Sequence, residues 1–443
     1  MFLFRIFASK LHKIEIEMIQ ELRIQNFLSF KDEVVFSFEA TSDKTLEDYY
    51  VHEPAPGVRL LKMAMVYGAN ASGKSNLIKA FDFIRSFVFN TVDGKDEEID
   101  FKAFAFDETA EKPGVLELVF YVGSVKHVYS IKVDAGHVYN ESLMFYPGTQ
   151  PAVIFKRTLS RNKRTSSVEF GNKIKVPKVA NDEILVKTLK NVSVFVAYSI
   201  VNVEIKELED VYDWFKYQFM RSINPYTSLT EYSDNHIQQD KDLKDFALEF
   251  IQEADFNISN ILYEKETKAV PEEIIKDLDN IPIPEKEKER IRKDKVIEFN
   301  HTMFVHKIVN KKKEVLFPLS EKYQSQGTMR YYGLTAPFYH AIRNKAFLLI
   351  DEIGSALHPL LVMYFIREFL KRSERSQLLF TTHNMSLLNE KDILRRDAIW
   401  ITEKGENGAT ELGSVADFSD FRKELSYYNY YKQGKFGGIP ELD

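Results

Sequence analysis

The stretch Gly68-Ala69-Asn70-Ala71-Ser72-Gly73-Lys74-Ser75 constrains this chain more than any other. It fits G-x-x-x-x-G-K-[ST], the phosphate-binding loop, and its flanks agree with it. Before it, Leu61-Lys62-Met63-Ala64-Met65-Val66-Tyr67 is a short apolar run that reads as a buried strand. After it, Asn76-Leu77-Ile78-Lys79-Ala80-Phe81-Asp82-Phe83-Ile84 spaces its apolar residues at helical intervals. Strand, glycine turn and helix N-terminus are what phosphate capture needs. Glycines let backbone N–H groups crowd an anion, and the helix start adds unpaired donors and a positive dipole end. In this pattern Lys74 reaches the β- and γ-phosphates and the Ser75 hydroxyl sits on Mg²⁺. A chance match arises in roughly one or two per cent of chains this long, and correct flanks make it rarer. Nucleotide binding is the reading.

The rest of the composition narrows the class. A length of 443 residues suggests two or three domains, or one large domain carrying an insertion. Hydrophobic content of 44% is ample for a sizeable core, and a net charge of −6 argues against a globally basic nucleic-acid coat. With no cysteine, disulfides, Cys-ligated zinc and iron–sulfur clusters are excluded, which fits a reducing cytoplasm. No apolar run approaches a membrane span, so no membrane partner is expected. The opening Met1 to Ala8 is apolar but broken by Arg5, and lacks the leader and length of a signal peptide. Met18 opens a good first strand, so residues 1–17 read either as an upstream-start artefact or as an added strand.

Taken in order, Ile19 to Glu39 reads as two strands joined by a polar turn, and Thr41 to Gly57 as a loop. Val115 to Tyr121 and His127 to Val133 read as an antiparallel meander. Phe155 to Lys190 is the most basic part of the chain, with Lys156, Arg157, Arg161, Lys163, Arg164, Lys173, Lys175, Lys178, Lys187 and Lys190. Two readings stand: contact with a DNA or RNA backbone through residues 156–190, or a solvated hairpin edge guarded by lysines. Val201 to about Asn300 reads as mainly helical, without the heptads of a coiled-coil arm. Strand signal returns with Phe304 to Val309 and Val315 to Phe317, around a Lys311-Lys312-Lys313 turn. The expected division is 1–200, an N-terminal lobe with the phosphate loop and antiparallel strands; 201–300, a helical insertion; and 301–443, a C-terminal lobe.

That C-terminal lobe carries the second half of the chemistry. Phe347-Leu348-Leu349-Ile350-Asp351-Glu352 is a buried-strand run ending in two carboxylates. In a chain with a phosphate loop, Asp351 would hold the metal and Glu352 would polarise the attacking water as general base. A further strand, Leu378-Leu379-Phe380-Thr381-Thr382-His383, ends in a histidine placed to contact the γ-phosphate.

The order of these motifs, with Ser325-Gln326-Gly327-Thr328 and Ser355-Ala356-Leu357-His358-Pro359 between them, resembles ABC-type ATPase heads. The closer resemblance is to the ABC/AAA-type ATPases of bacterial abortive-infection and anti-phage systems, the RloA, AbiL and PARIS AriA group. The opening Leu22-Arg23-Ile24-Gln25-Asn26-Phe27, Gly68 to Asn76, the Ser-x-Gly-Thr signature and the tail Gly434-Lys435-Phe436-Gly437-Gly438-Ile439-Pro440 carry it. The resemblance implies an α/β fold: an ABC-type head in which a mixed sheet joins an antiparallel β subdomain and a mainly helical insertion interrupts the chain. It implies ATP hydrolysis with Mg²⁺ held by Ser75 and Asp351, and catalysis by Glu352, His383 and Lys74. Gly68, Ala69, Asn70, Ala71, Ser72, Gly73, Lys74, Ser75 and Asn76 would bind the nucleotide in one copy. Ser325, Gly327 and Thr328 of a second copy would close over it, giving a homodimer or higher homo-oligomer. The stretch after His383 is too short for the nuclease domain of the related overcoming-lysogenization-defect proteins. The resemblance therefore puts the effector, an RloB-like or TOPRIM-type nuclease or a toxin, in another chain. A RecF- or Rad50-like DNA-repair ATPase, and an ATP-dependent scaffold that cages a partner with little turnover, are the alternatives.

Overall fold

The computed structural model describes residues 17–254, 257–281, 283, 285–418 and 426–440. The reading of the first residues as an artefact or an added strand thus falls almost wholly outside the described residues. The chain divides into two compact units, one of residues 1–227 and 340–443, the other of residues 228–339.

In the first unit, strands β1 (Glu17–Gln25), β2 (Val34–Ser37), β3 (Val51–Ala55), β4 (Val58–Leu61) and β5 (Met63–Gly68) come first. They are followed by the helix Lys74–Phe89 and then by β6 (Gly114–Val122), β7 (Val125–Val133), β8 (Val138–Tyr146), β9 (Ala152–Leu159) and β10 (Ser166–Phe170). An antiparallel sheet runs β10-β9-β8-β7-β6-β1-β2. Its strands alternate buried and partly exposed residues, as β7 does, which is the pattern of a sheet with one face on a core and one toward water. The β3–β4 hairpin and a short helix at Glu47–Tyr50 occupy the stretch expected to be loop.

A second sheet in the same unit holds the candidate site. With β11 (Ile258–Ala269), β12 (Val296–Asn310) and β13 (Lys313–Ser320) lying between in sequence, β14 (Phe347–Ile350), β15 (Gln377–Thr381), β16 (Ile399–Lys404) and β17 (Thr410–Ser414) complete the strands. The order is β14-β15-β5-β16-β17, parallel up to β16 and antiparallel at β17. β5, β14 and β15 are buried along their whole lengths. Parallel strands covered on both faces need continuous apolar runs, and these sequences supply them. Gln377 stitches the two sheets together. Its amide accepts from Ile19 N–H at 2.6 Å and donates to the carbonyls of Ile19 (2.8 Å) and Leu61 (3.2 Å), at the irregularity in β1.

The second unit packs an antiparallel sheet, β11-β12-β13, with helices that include Thr230–Ile237 and Lys241–Glu253. The long strand β11 lies in the stretch read as mainly helical, and β12 and β13 join around Lys311-Lys312 as expected. Phe250 stacks on Tyr331 with ring centroids 5.0 Å apart, and Tyr332 donates to buried Asp234 at 2.5 Å. The helix Gln326–Arg343 begins in this unit.

Candidate nucleotide site

Strand order alone brings three of the motifs together. Neighbouring strands lie about 5 Å apart, and β14, β15 and β5 are adjacent and parallel. Their C-terminal ends therefore share one edge, the edge at which α/β sheets hold ligands. Asp351-Glu352 follows β14, Thr382-His383 follows β15, and the phosphate loop follows β5.

The loop itself is shaped by two features. Gly73 has φ 109°, and a Cβ there would run into the Thr410 side chain. Ala71 also adopts a positive φ of 62°. Behind the loop, Ser72 Oγ and Thr402 Oγ1 are 2.6 Å apart, and Thr410 Oγ1 donates to the Ser72 carbonyl at 2.8 Å. Thr410 Oγ1 also reaches Ser29 Oγ (2.7 Å), which accepts from Asn76 Nδ2 at 2.7 Å. The helix Lys74–Phe89 then starts with its first N–H groups at the loop. Lys74 is buried, and its Nζ donates to the carbonyls of Gly68 (2.8 Å) and Ala69 (2.9 Å). Burial pushes its ammonium down to about 8, against the opposing pull of Glu352 and Asp351.

Asp351 is fixed from both sides. Its N–H donates to Ile223 O at 2.8 Å, because residues 219–223 run alongside β14 as a further parallel neighbour. Its carboxylate accepts from Thr381 Oγ1 at 2.5 Å. The same Thr381 oxygen accepts the Glu352 N–H at 2.8 Å. Glu352 sits at φ 51°, a left-handed conformation that costs a non-glycine residue roughly 1–2 kcal/mol. Its Oε1 lies 3.2 Å from His383 Nε2. Burial and the Lys74 charge lower the His383 imidazole below its usual range, with Glu352 pulling the other way.

The structure thus brings Lys74, Asp351, Glu352 and His383 into one constellation. Ser325 to Thr328 lies in the other unit. There Ser325 Oγ caps the helix Gln326–Arg343, accepting the Thr328 N–H at 3.0 Å and lying 2.8 Å from Thr328 Oγ1. Ser325 and Gln326 are exposed, whereas Thr328 is buried. Ser29, Thr381, Thr402 and Thr410 hold the constellation in place and were not singled out from the sequence. Thr381 is the last residue of β15, two positions before His383. The others carry no local signal, since their roles depend on which strands become neighbours.

The chain matches the family described as "AAA domain, putative AbiEii toxin, Type IV TA system" over residues 63–389. The match covers β5, the phosphate loop, Asp351-Glu352 and His383. The chain belongs to this family. No curated protein matches it. Among solved structures it is similar to the SMC head domain from Thermotoga maritima, at 15% identity over 89% of this chain and 98% of that one, with a TM-score of 0.40. The Smc head bound to the C-winged helix domain of ScpA aligns at 13% identity over 89% and 97%, TM-score 0.39. A Smc head with an extended coiled coil, bound to the C-terminal domain of ScpA derived from Pyrococcus furiosus, aligns at 14% identity over 95% and 99%, TM-score 0.36. The α/β class expected from the sequence, with a mixed sheet and an antiparallel β subdomain, is the one observed, while the insertion expected to be mainly helical carries the strand pair β11–β12 as well as helices.

The donor set suits ATP and Mg²⁺. Mg²⁺ takes one or two protein oxygens and completes its shell with phosphates and water. Of the two oxygens expected to hold Mg²⁺, the Asp351 carboxylate stands beside Lys74 with Thr381 on one of its oxygens, a sparse protein donor of the kind Mg²⁺ uses.

The basic stretch is sorted by the structure. Arg157 is fully buried on β9, paired with Glu141 at 3.4 Å and donating to Leu189 O at 2.6 Å. It is a core residue and leaves the surface set. Lys187 pairs with Glu183 at 3.3 Å and Lys190 with Asp96 at 3.5 Å. Lys156, Arg161, Lys163, Arg164, Lys173, Lys175 and Lys178 remain exposed on the β9–β10 hairpin and the segment after it. Among the described residues no helix is long and apolar enough to cross a membrane.

Proposed function

We propose that this chain binds and hydrolyses ATP, and that it serves as the sensor or regulatory subunit of a bacterial anti-phage system whose nuclease or toxin is a separate chain. The observation carrying the ATPase reading is the single constellation of Lys74, Asp351, Glu352 and His383 at one sheet edge. The defence role is supported by the family's toxin–antitoxin description and by the resemblance of the Ser325-to-Thr328 signature and the 434–440 tail to anti-phage ATPases.

In this reading the loop N–H groups and Lys74 hold the phosphates, and Ser75 and Asp351 hold Mg²⁺. The bound metal neutralises charge on the phosphate oxygens. Glu352 accepts the proton of the attacking water at its carboxylate. His383 orients that carboxylate through Nε2 and faces the γ-phosphate. Lys74 exchanges the Gly68 and Ala69 carbonyls for phosphate oxygens. The exposed, capped helix start at Ser325 offers backbone donors to the γ-phosphate of a second copy. ATP would thus act as the joint of a dimer.

Thr381 gives a direct test. Thr381→Val keeps the shape but removes the hydroxyl that joins Asp351 to Glu352. Phosphate release is expected to fall about tenfold, the worth of one charge-assisted hydrogen bond, with ATP affinity within about twofold of wild type by equilibrium binding. Unchanged turnover would remove Thr381 from the site.

The exposed hairpin cations favour a second reading, in which the protein also contacts a nucleic-acid backbone. Neutralising Arg161, Lys163 and Arg164 together should then lower duplex affinity and flatten its salt dependence, by roughly one unit of slope per lost contact. If the hairpin is only a solvated edge, the triple variant shifts DNA and RNA no differently from wild type.

A further inference from the structure

The tail singled out in the sequence lies against the back of the phosphate loop. Tyr431 is buried, and its hydroxyl donates to the Gly438 carbonyl at 2.9 Å. Gly438 has φ 67°, and a Cβ there would stand 2.6 Å from Ile401 Cγ2 and 3.3 Å from the Gly68 Cα. The tail backbone therefore touches the loop entry where no side chain fits between them. The Tyr431 ring packs on Tyr67 at 5.5 Å between centroids, and the Tyr67 hydroxyl donates to the Asn384 carbonyl at 3.1 Å. Asn384 follows His383. Two tyrosines thus hold both the entry of the phosphate loop and the loop that carries the γ-phosphate-facing histidine.

We infer that residues 426–440 form a clasp that pre-organises the phosphate loop, with Tyr431 a positioning residue for nucleotide binding. The inference rests on the ATP-binding reading above. A glycine-rich loop loses backbone freedom when it closes on phosphate. Packing the Tyr431-held tail backbone at Gly438 against the Gly68 Cα removes part of that loss before the ligand arrives, and ordering in advance appears as affinity. The clasp touches no reacting atom, so its effect falls on binding and leaves the hydrolytic step alone.

The test is Tyr431→Phe in the full chain, which keeps both ring contacts and removes only the hydroxyl. The KM for ATP and the Kd for ATP with Mg²⁺ should rise about fivefold to tenfold, the factor expected for one buried hydrogen bond, while kcat stays within about twofold. Hydrogen exchange of the peptide spanning Met63 to Gly73 should quicken in the nucleotide-free protein. Gly438→Ala, whose added methyl would crowd Ile401 and stand 3.3 Å from the Gly68 Cα, should move KM and exchange in the same direction. A structural role alone would lower the melting temperature of Tyr431→Phe and leave KM and exchange of the loop unchanged, which overturns the clasp. ATP binding that is lost in Lys74→Ala but unaltered in both tail variants overturns the clasp and leaves the ATP site standing. A wild-type protein that binds no ATP overturns both.

Discussion

Glu352→Gln is expected to cut ATP hydrolysis by about a hundredfold or more, the usual worth of a general base, while ATP binding survives. The substitution keeps the shape of the side chain and a hydrogen-bonding partner for His383 Nε2, now 3.2 Å from Glu352 Oε1. It removes only the capacity to take a proton from water. The backbone should hold its place, because the Glu352 N–H is bound by Thr381 Oγ1 and the strained φ of 51° is set by the turn after β14. Steady-state phosphate release and equilibrium ATP binding, measured on the same preparation, separate the two effects. Wild-type turnover in the variant would hand the base to another residue.

Lys74→Ala should abolish measurable ATP binding with the melting temperature of the nucleotide-free protein unchanged within about 2 °C, the shift that about 2 kcal/mol produces in a chain this size. The ammonium is buried against the Gly68 and Ala69 carbonyls, so its removal frees two backbone acceptors of the loop and no apolar packing. What is lost is the charge opposite the phosphates. The same lysine sets a pH dependence. Burial lowers its pKa to about 8, so in the free protein the charge is present below that value and is lost as pH rises through it. ATP affinity should hold level below pH 8 and weaken above it. A titration in which affinity ignores pH across that window, or a Lys74→Ala protein binding ATP within about threefold of wild type, would remove Lys74 from the site.

Much of the site could be read in advance because parallel strands buried on both faces announce themselves. β5, β14 and β15 are unbroken apolar runs, and each ends in the residues that carry the chemistry. The fixation of those residues was not readable. Thr381 joins Asp351 to Glu352 only because β15 lies beside β14, and Ser29 meets Thr410 across most of the chain. No local pattern encodes such neighbours. The basic stretch misleads for a related reason. A lysine or arginine reads as surface until its partner is known, and the partner of Arg157 is Glu141 on the adjoining strand. β11, with Asn260, Glu264 and Lys268 along it, is polar enough to pass among helices. Its pairing with β12 is what makes it a strand. The tail carries a family resemblance in its sequence, whereas the reason for Gly438 lies in its close approach to Ile401 and Gly68.

The central claim is that ATP joins two copies, each closing the phosphate loop of the other with Ser325 to Thr328. Sedimentation velocity of the Glu352→Gln protein with ATP and Mg²⁺, compared with the same protein free of nucleotide and with a Glu352→Gln/Ser325→Arg double variant, tests it most directly. On this account ATP doubles the sedimenting mass of the single variant, ADP does not, and the added arginine abolishes the change while ATP still binds each copy. A mass that stays the same with and without bound ATP, or a doubling that persists in the double variant, would contradict it.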